Sequence, residues 1–126
     1  MIARDIMTRE VITMDAETDV LEAIDILVNN RISGAPVIDK DGAINGVVTE
    51  KDLLIALDFL GDRDASEVLV AEFMTRDVIS FAEDTPVKSI MQELVRHNIK
   101  RVPIVTGNKI VGIIARRDIL KNVKKA

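Results

Sequence analysis

Gly46-Val47-Val48-Thr49-Glu50-Lys51-Asp52 is the stretch of sequence that decides the fold, because it occurs twice in the chain. Its second copy is Gly112-Ile113-Ile114-Ala115-Arg116-Arg117-Asp118, with Gly, two aliphatic residues, Thr or Ala, two charged residues and Asp in the same order. The aliphatic residues indicate a strand, and the charged residues that follow favour the start of a helix. Each copy therefore predicts a strand that runs directly into a helix.

The repetition extends outward from this stretch over almost the whole chain. Met7-Thr8-Arg9-Glu10-Val11-Ile12 recurs as Met74-Thr75-Arg76-Asp77-Val78-Ile79, and Pro36 matches Pro103. After the turn that follows, the number of residues separating matching positions falls by one, as a deletion in a hairpin loop would cause. Such self-similarity indicates two copies of one supersecondary unit. We predict a first repeat over residues 1–60, a linker with a short helix over 61–72 and a second repeat over 73–126.

Each repeat shows the same order of predicted elements, β-α-β-β-α. In the first repeat, residues 11–14 favour a short strand, and an amphipathic helix begins near Asp19 with Thr18 as its expected N-cap. Apolar stretches at 35–38 and 44–48 flank a turn at 39–42, which predicts a hairpin. The second repeat has its hairpin over 102–105 and 110–115. The predicted fold class is α+β with a duplicated unit, and residues 65–73 are expected to form the connecting helix.

Composition excludes several classes of function. The chain has 126 residues, a net charge of −4, no Cys and one His, so thiolate metal sites are excluded and catalytic His chemistry is disfavoured. We therefore predict no catalytic residue, no metal site and no cofactor. The acidic balance and the scarcity of aromatic residues weigh against nucleic-acid binding. No apolar run has the length of a signal peptide or a spanning helix, so we expect a cytoplasmic protein without a membrane partner.

One predicted helix carries more apolar residues than a single buried face requires. Residues 53–60 contain only one charged residue, Asp58, so this helix must be covered on more than one side. The other repeat accounts for part of the cover, and a second chain accounts for the rest if the protein is a homodimer, which we expect. The alternative is that the helix is central in a monomer.

The repeated stretch has two interpretations at its helix start. As a nucleotide site, Gly46 admits a ligand close to the strand, the Thr49 hydroxyl donates to phosphate and the Asp52 carboxylate accepts from ribose hydroxyls. As a local structure, Thr49-x-x-Asp52 has the form of a capping box. The second copy has Ala115 in place of the Thr but keeps Asp118, which breaks the reciprocal cap and favours the ligand interpretation slightly.

The duplicated layout and these motifs together resemble a tandem pair of CBS domains, the cystathionine-β-synthase-type repeat also called a Bateman module. The resemblance covers residues 2–123. Its elements are Met7-Thr8 and Met74-Thr75, the Val-Ile strands, Ala35-Pro36-Val37 and Val102-Pro103-Ile104, and the two stretches quoted first.

The resemblance implies a regulatory, non-catalytic module whose repeats pack about a pseudo-twofold axis and form two clefts for adenosine-containing ligands. In the family each cleft takes its ribose-binding Asp from one repeat and further contacts from the other. The first cleft would use Thr49, Asp52, Thr75, Ile79, Lys100 and Arg101, and the second Asp118, Thr8, Ile12, Ser33 and Ala35. Because the first combines a hydroxyl with two cations, we expect it to bind phosphorylated ligands more tightly.

Two functions remain open at this point. The first is an adenine-nucleotide sensor responding to AMP, ADP, ATP or S-adenosylmethionine, in which the nucleotide is a regulatory ligand and the regulated effector is a separate protein. The second is a dimerisation or scaffold module with no physiological small ligand.

Overall fold

The structure, a computed structural model, describes residues 1–123. Residues 124–126, with which the predicted second repeat ends, lie outside the described residues. The chain forms two compact units, one of residues Ile12–Val78 and the other of Met1–Val11 together with the chain from Ile79 onward. In sequence, the first unit has fifteen acidic and five basic residues, and the second has six acidic and twelve basic residues. We call them the acidic unit and the basic unit.

The described chain contains five α-helices, six strands and two short 3₁₀ helices. The elements are α1 (Ala3–Ile6), β1 (Met14–Asp15), α2 (Val20–Asn30), β2 (Gly34–Ile38), β3 (Ile44–Thr49), α3 (Glu50–Phe59), 3₁₀ helices at Ala65–Glu67 and Val70–Glu72, β4 (Phe81–Ala82), α4 (Val87–Arg96), β5 (Arg101–Thr106), β6 (Lys109–Ala115) and α5 (Arg116–Val123). This duplicated β-α-β-β-α order confirms the predicted α+β fold class.

The sheet of the acidic unit has the order β1-β2-β3, with β1 parallel and β3 antiparallel to β2. The predicted hairpin is present, and the Asp39 carboxylate holds its turn by accepting from the backbone N–H groups of Asp41 and Ala43 at 2.8 and 3.0 Å. The first strand, expected over 11–14, is only Met14–Asp15. Side chains from α2, from the sheet and from α3 form the core, including Val20, Leu27, Val37, Val48 and Leu53.

The start of α2 differs from the prediction by one residue. Asp19 is the N-cap, and its carboxylate accepts from the backbone N–H of Glu22 at 2.7 Å. Thr18 is buried, its hydroxyl accepts from the Asp15 N–H, and its carbonyl accepts from Val70 N. The prediction of Thr18 as the cap was wrong because that side chain is engaged in the turn before the helix.

The segment after α3 is also different from the prediction. Instead of one connecting helix over 65–73, two 3₁₀ helices flank the buried residue Val68. The Val68 carbonyl accepts from Val20 N at 2.8 Å, and so the segment is tied to the start of α2. Hydrogen bonds between backbone groups distant in sequence interrupt the predicted helix here. The local composition of the segment does not reveal these bonds.

The basic unit has the equivalent sheet, in the order β4-β5-β6. The first residues of the chain pack against it: Ala3 N donates to the Thr85 carbonyl and Arg4 N to the Glu83 carbonyl, both at 2.8 Å. The Arg4 guanidinium also pairs with the Glu83 carboxylate at 2.8 Å. The Thr106 hydroxyl donates to that carboxylate at 2.6 Å, and it is the main cause, before Arg4, of the lowered pKa of Glu83.

Helix α3 has apolar side chains on more than one side, as its sequence predicted. Leu53 and Ala56 are buried in the core, whereas Leu54 is 66% exposed and Phe59 71% exposed. Within residues 1–123, no helix is both long enough and apolar enough to cross a membrane.

Candidate functional site

The start of α3 forms a capping box around the Asp52 carboxylate. Thr49, the last residue of β3, donates its backbone N–H to Asp52 Oδ2 at 2.9 Å and its hydroxyl to the same oxygen at 3.0 Å. Asp52 N donates in return to Thr49 Oγ1 at 3.2 Å. The capping interpretation is therefore correct for these residues. It also fixes the carboxylate at the positive end of the helix dipole, where anions are stabilised.

A second hydroxyl reaches the same carboxylate from a distant part of the sequence. Thr75 Oγ1 lies 3.3 Å from Asp52 Oδ1 and 3.4 Å from Asp52 Oδ2. Its backbone is held by a pair of hydrogen bonds with Val47, each 2.9 Å long. Thr75 is exposed and Asp52 is 9% exposed, so an exposed residue and a buried carboxylate share these hydrogen bonds.

The absence of a side chain at Gly46 allows Thr75 to lie this close to Asp52. A Cβ atom at position 46 would lie 2.8 Å from the Thr75 carbonyl oxygen and 2.9 Å from Met74 Sδ, both closer than van der Waals contact permits. The missing side chain therefore lets the Met74-Thr75 backbone lie directly against β3. The repeated Gly thus positions Thr75 on Asp52.

The two carboxylate oxygens of Asp52 are not equivalent. Oδ2 accepts from Thr49 N, Thr49 Oγ1 and, at longer range, Thr75 Oγ1, which uses the capacity of a carboxylate oxygen. Oδ1 accepts from Thr75 Oγ1 at 3.3 Å and retains capacity to accept a further hydrogen bond. A further hydroxyl donor is the kind of group that this remaining capacity fits. The Thr49 hydroxyl, in contrast, must turn away from Asp52 before it can donate to a phosphate.

The basic unit contains a reduced version of the same arrangement. Ala115 N donates to Asp118 Oδ2 at 2.8 Å, so half of the capping box survives without the Thr. Thr8 Oγ1 lies 3.4 Å from Asp118 Oδ1, and the Thr8 backbone pairs with Ile113. A Cβ at Gly112 would lie 2.6 Å from Met7 Sδ, which repeats the close approach. Asp118 has one hydroxyl near it where Asp52 has two.

Arg116 has a role that the sequence did not reveal. Its guanidinium donates to the Ile99 carbonyl at 3.1 Å and to Asn98 Oδ1 at 3.3 Å, while its backbone N–H donates to the Lys100 carbonyl at 3.1 Å. The side chain therefore fastens the start of α5 to the segment before β5. Asn98 has a φ of 51°, a left-handed conformation that Asn tolerates.

The remaining predicted site residues are divided between the units. In the acidic unit, Ile12 is exposed, the Ser33 carbonyl accepts from Glu50 N at 2.9 Å and the Ala35 side chain is buried in β2. In the basic unit, Lys100 is exposed and precedes β5, which begins at Arg101, and Ile79 is half-buried. The structure brings Thr49, Asp52 and Thr75 together in one unit, and Thr8 and Asp118 in the other. Within residues 1–123, no group of three metal-binding side chains occurs.

Comparison with known proteins identifies the repeat. The sequence profile of the CBS domain matches residues 3–58 and 70–125. The chain belongs to the CBS domain family. This result confirms the resemblance drawn from the repeated motifs.

Relatives of this CBS domain protein include longer chains. Uncharacterized protein MJ1225 of Methanocaldococcus jannaschii is 33% identical over 118 residues, which are 94% of this chain and 41% of that protein. Inosine-5′-monophosphate dehydrogenase of the same organism is 32% identical over 123 residues, 97% of this chain and 23% of the enzyme. The chain thus spans less than half the length of these two relatives.

A solved structure matches this chain over almost its whole length. The CBS domain pair of protein MJ0100 matches with a TM-score of 0.84 and 29% identity over 99% of this chain and 97% of that chain. That pair was crystallised in complex with 5′-methylthioadenosine and S-adenosyl-L-methionine.

Proposed function

We propose that this CBS domain protein is a non-catalytic regulatory module that binds an adenosine-containing ligand at Asp52. The ligand would be AMP, ADP, ATP, S-adenosylmethionine or a close relative of these. The observation that carries the proposal is the Asp52 carboxylate, of which one oxygen is held by the capping box and the other retains capacity to accept. Two adjacent ribose hydroxyls are donors that such an oxygen fits.

The relatives support the class of ligand. The MJ0100 pair, 29% identical and matched over nearly its whole length, binds two compounds that share an adenosine group. What these compounds have in common is the ribose and the adenine, and they differ at the 5′ position. A site built around a ribose-binding carboxylate is compatible with either, and with the nucleotides.

Nearby cations and helix dipoles determine which 5′ group of a ligand the site prefers. The N-terminus of α3 favours negative charge, and the resemblance to the family implies that Lys100 and Arg101 face a phosphate at the same site. This assignment stays a prediction, together with the contact assigned to Ile79. Because Asp118 has Ala115 beside it and one hydroxyl near it, we expect weaker binding at the second site, with Thr8, Ile12, Ser33 and Ala35 as its further contacts.

Regulation requires that the ligand bind two states of the protein with different affinity. We propose that these states differ in binding to a separate protein effector and in packing within a homodimer. Exposed apolar side chains on α2 and α3, among them Val28 and Leu54, favour self-association. The same side chains support the second candidate function, a dimerisation scaffold without a small ligand.

Calorimetric titration separates the two functions. The protein is titrated with AMP, ADP, ATP, S-adenosylmethionine and 5′-methylthioadenosine, with GTP as the control for a nucleotide that lacks adenine. Binding of at least one adenosine compound in the micromolar range, with GTP at least about tenfold weaker, supports the sensor. Absence of heat and of thermal stabilisation with every compound supports the scaffold.

A further inference from the structure

One residue at the start of α5 ties that helix to the segment before β5. The Arg116 guanidinium donates to the Ile99 carbonyl at 3.1 Å and to Asn98 Oδ1 at 3.3 Å. The backbone N–H of the same residue donates to the Lys100 carbonyl at 3.1 Å. Three consecutive residues of the segment are therefore held by Arg116, and two of the three hydrogen bonds depend on its side chain.

These hydrogen bonds gather four cations at the end of the β5–β6 pair that lies away from its turn. Lys100 and Arg101 stand where β5 begins, and Arg116 and Arg117 follow directly after β6. Asp118, the acid nearest to them in sequence, has its Oδ2 in the capping interaction of α5. Like charges at neighbouring positions repel one another, and a bound anion relieves this repulsion. The arrangement is therefore suited to an anionic group.

The equivalent end of the sheet in the acidic unit differs in both respects. Ser33, Gly34, Glu50 and Lys51 occupy the matching positions, so their formal charges cancel. Glu50 N donates to the Ser33 carbonyl at 2.9 Å, which repeats the backbone hydrogen bond of Arg116. A carboxylate, however, has no proton to donate to a carbonyl. Within residues 1–123, the basic unit alone combines the side-chain attachment with the cluster of positive charge.

We propose that Arg116 is a positioning residue that fixes Lys100 and Arg101 for an anionic 5′ group, so that the protein selects adenine nucleotides over adenosine compounds without a phosphate. This inference rests on the proposed function, in which Lys100 and Arg101 face that group. Holding the segment in place before the ligand arrives removes part of the conformational entropy that binding would otherwise cost. Arg116 acts through the segment and has no assigned contact with the ligand.

Calorimetry with AMP and adenosine tests the proposal, because the two compounds differ only in the 5′-phosphate. The measured quantity is the phosphate preference, which is the affinity for AMP divided by the affinity for adenosine. Arg116→Ala removes the attachment, and Arg116→Lys keeps the charge but lacks the fork of donors that reaches two acceptors. Arg117→Ala, the matched control, removes the same charge from the next residue, which is also exposed.

The natural chain is expected to show a phosphate preference of about tenfold or more. This preference should fall at least about threefold in Arg116→Ala and in Arg116→Lys, while their affinity for adenosine stays within about twofold of the natural chain. In Arg117→Ala the preference should stay within about twofold. A preference that Arg116→Lys retains, or that Arg117→Ala lowers as much as Arg116→Ala does, would show that net charge alone decides it and would overturn the proposal.

Amide hydrogen exchange measures the attachment without a ligand. The Ile99 N–H donates to the Leu94 carbonyl at 3.1 Å, and the equivalent Ile32 N–H donates to the Leu27 carbonyl at the same distance. In Arg116→Lys, exchange at Ile99 should become about threefold faster or more, with exchange at Ile32 unchanged as the internal control. An unchanged exchange rate at Ile99 would overturn the proposal, because the segment would then be held without the guanidinium.

The natural chain separates this inference from the proposed function. Equal affinity for AMP and adenosine would overturn the inference and leave the binding of adenosine compounds supported. Absence of binding for every adenosine compound would overturn the proposed function, and this inference with it.

Discussion

Thr75 donates its hydroxyl to the Asp52 carboxylate across 3.3 Å, although the two residues belong to different sequence repeats. They lie in one compact unit because the opening segment of the second repeat packs against β3 of the first. Thr8 and Asp118 show the reciprocal arrangement in the other unit. The Thr of each repeated Met-Thr pair therefore contacts the Asp of the other repeat.

The Thr75 hydroxyl is expected to hold the Asp52 carboxylate in position for a ligand. Thr75→Val removes one hydrogen bond, for which we expect a loss of about 0.5–1.5 kcal/mol in the free energy of unfolding and a three- to roughly tenfold loss of affinity for the adenosine ligand. Thr75→Ser keeps the hydroxyl and is the matched control. Urea unfolding and calorimetry measure the two effects. Unchanged affinity in Thr75→Val would show that this hydroxyl serves the fold alone.

Gly46 is predicted to be essential for the approach of Thr75 to Asp52. In Gly46→Ala the new methyl group would lie 2.8 Å from the Thr75 carbonyl oxygen, and backbone must move to relieve the overlap. We expect a destabilisation of about 1–3 kcal/mol in urea unfolding. Asn45→Ala, an exposed change on the same strand, should stay within about 0.5 kcal/mol of the natural chain. Equal stability of both variants would contradict the close approach.

The end of α2 offers a stabilising substitution. Arg31 adopts a left-handed conformation with φ of 54°, which a residue with a Cβ atom occupies at a cost. Arg31→Gly is therefore expected to raise the free energy of unfolding by up to about 1 kcal/mol. Asn30→Gly, one residue earlier and still helical, should lower it by about 0.5–1 kcal/mol. A loss of stability in both variants would mean that the Arg31 side chain contributes more than its backbone strain costs.

We expect the Glu83 carboxyl to contribute to the stability of the fold at low pH. Hydrogen bonds from Thr106 first and Arg4 second lower the pKa of the Glu83 carboxyl below its ordinary value. The stabilisation is therefore complete above the ordinary pKa and is lost as the pH falls through the lowered pKa. In Thr106→Val the pKa of Glu83 should move up toward its ordinary value, so the stability lost on acidification should be smaller and the loss should be complete at a higher pH.

Carboxyl NMR titration of Glu83 measures this pKa directly, and thermal unfolding at several pH values gives the stability. Thr13→Val, in the other unit, is the control for loss of a Thr hydroxyl. An unchanged Glu83 pKa in Thr106→Val would contradict the role of the 2.6 Å hydrogen bond.

Local pattern in the sequence was sufficient for the hairpins, for the helices after them and for the fold class. The helix starts at Glu50 and Arg116 follow from aliphatic strands that end at a charged stretch. Features that depend on distant pairing were not predictable in this way. The segment after α3 forms two 3₁₀ helices because Val68 and Val70 pair with the start of α2, and α1 forms because its backbone docks on residues 83–87.

The candidate site was likewise predictable from local sequence only in part. The capping box around Asp52 can be read from four consecutive residues, and the assignment of Thr75 to the same site came from resemblance to a family. The attachment of Arg116 to Asn98 and Ile99 had no signal in the sequence, because a charged residue at a helix start is ordinarily solvated.

The most direct test of the central claim asks whether Asp52 receives the ribose hydroxyls. Calorimetry compares the tightest-binding adenosine ligand with its 2′-deoxy counterpart on the natural chain, on Asp52→Ala and on the matched variant Asp118→Ala. The account predicts that removal of the 2′-hydroxyl weakens binding by about tenfold or more in the natural chain and in Asp118→Ala, and by less than about twofold in the residual binding of Asp52→Ala. An equal effect of the 2′-deoxy change in all three proteins would contradict it.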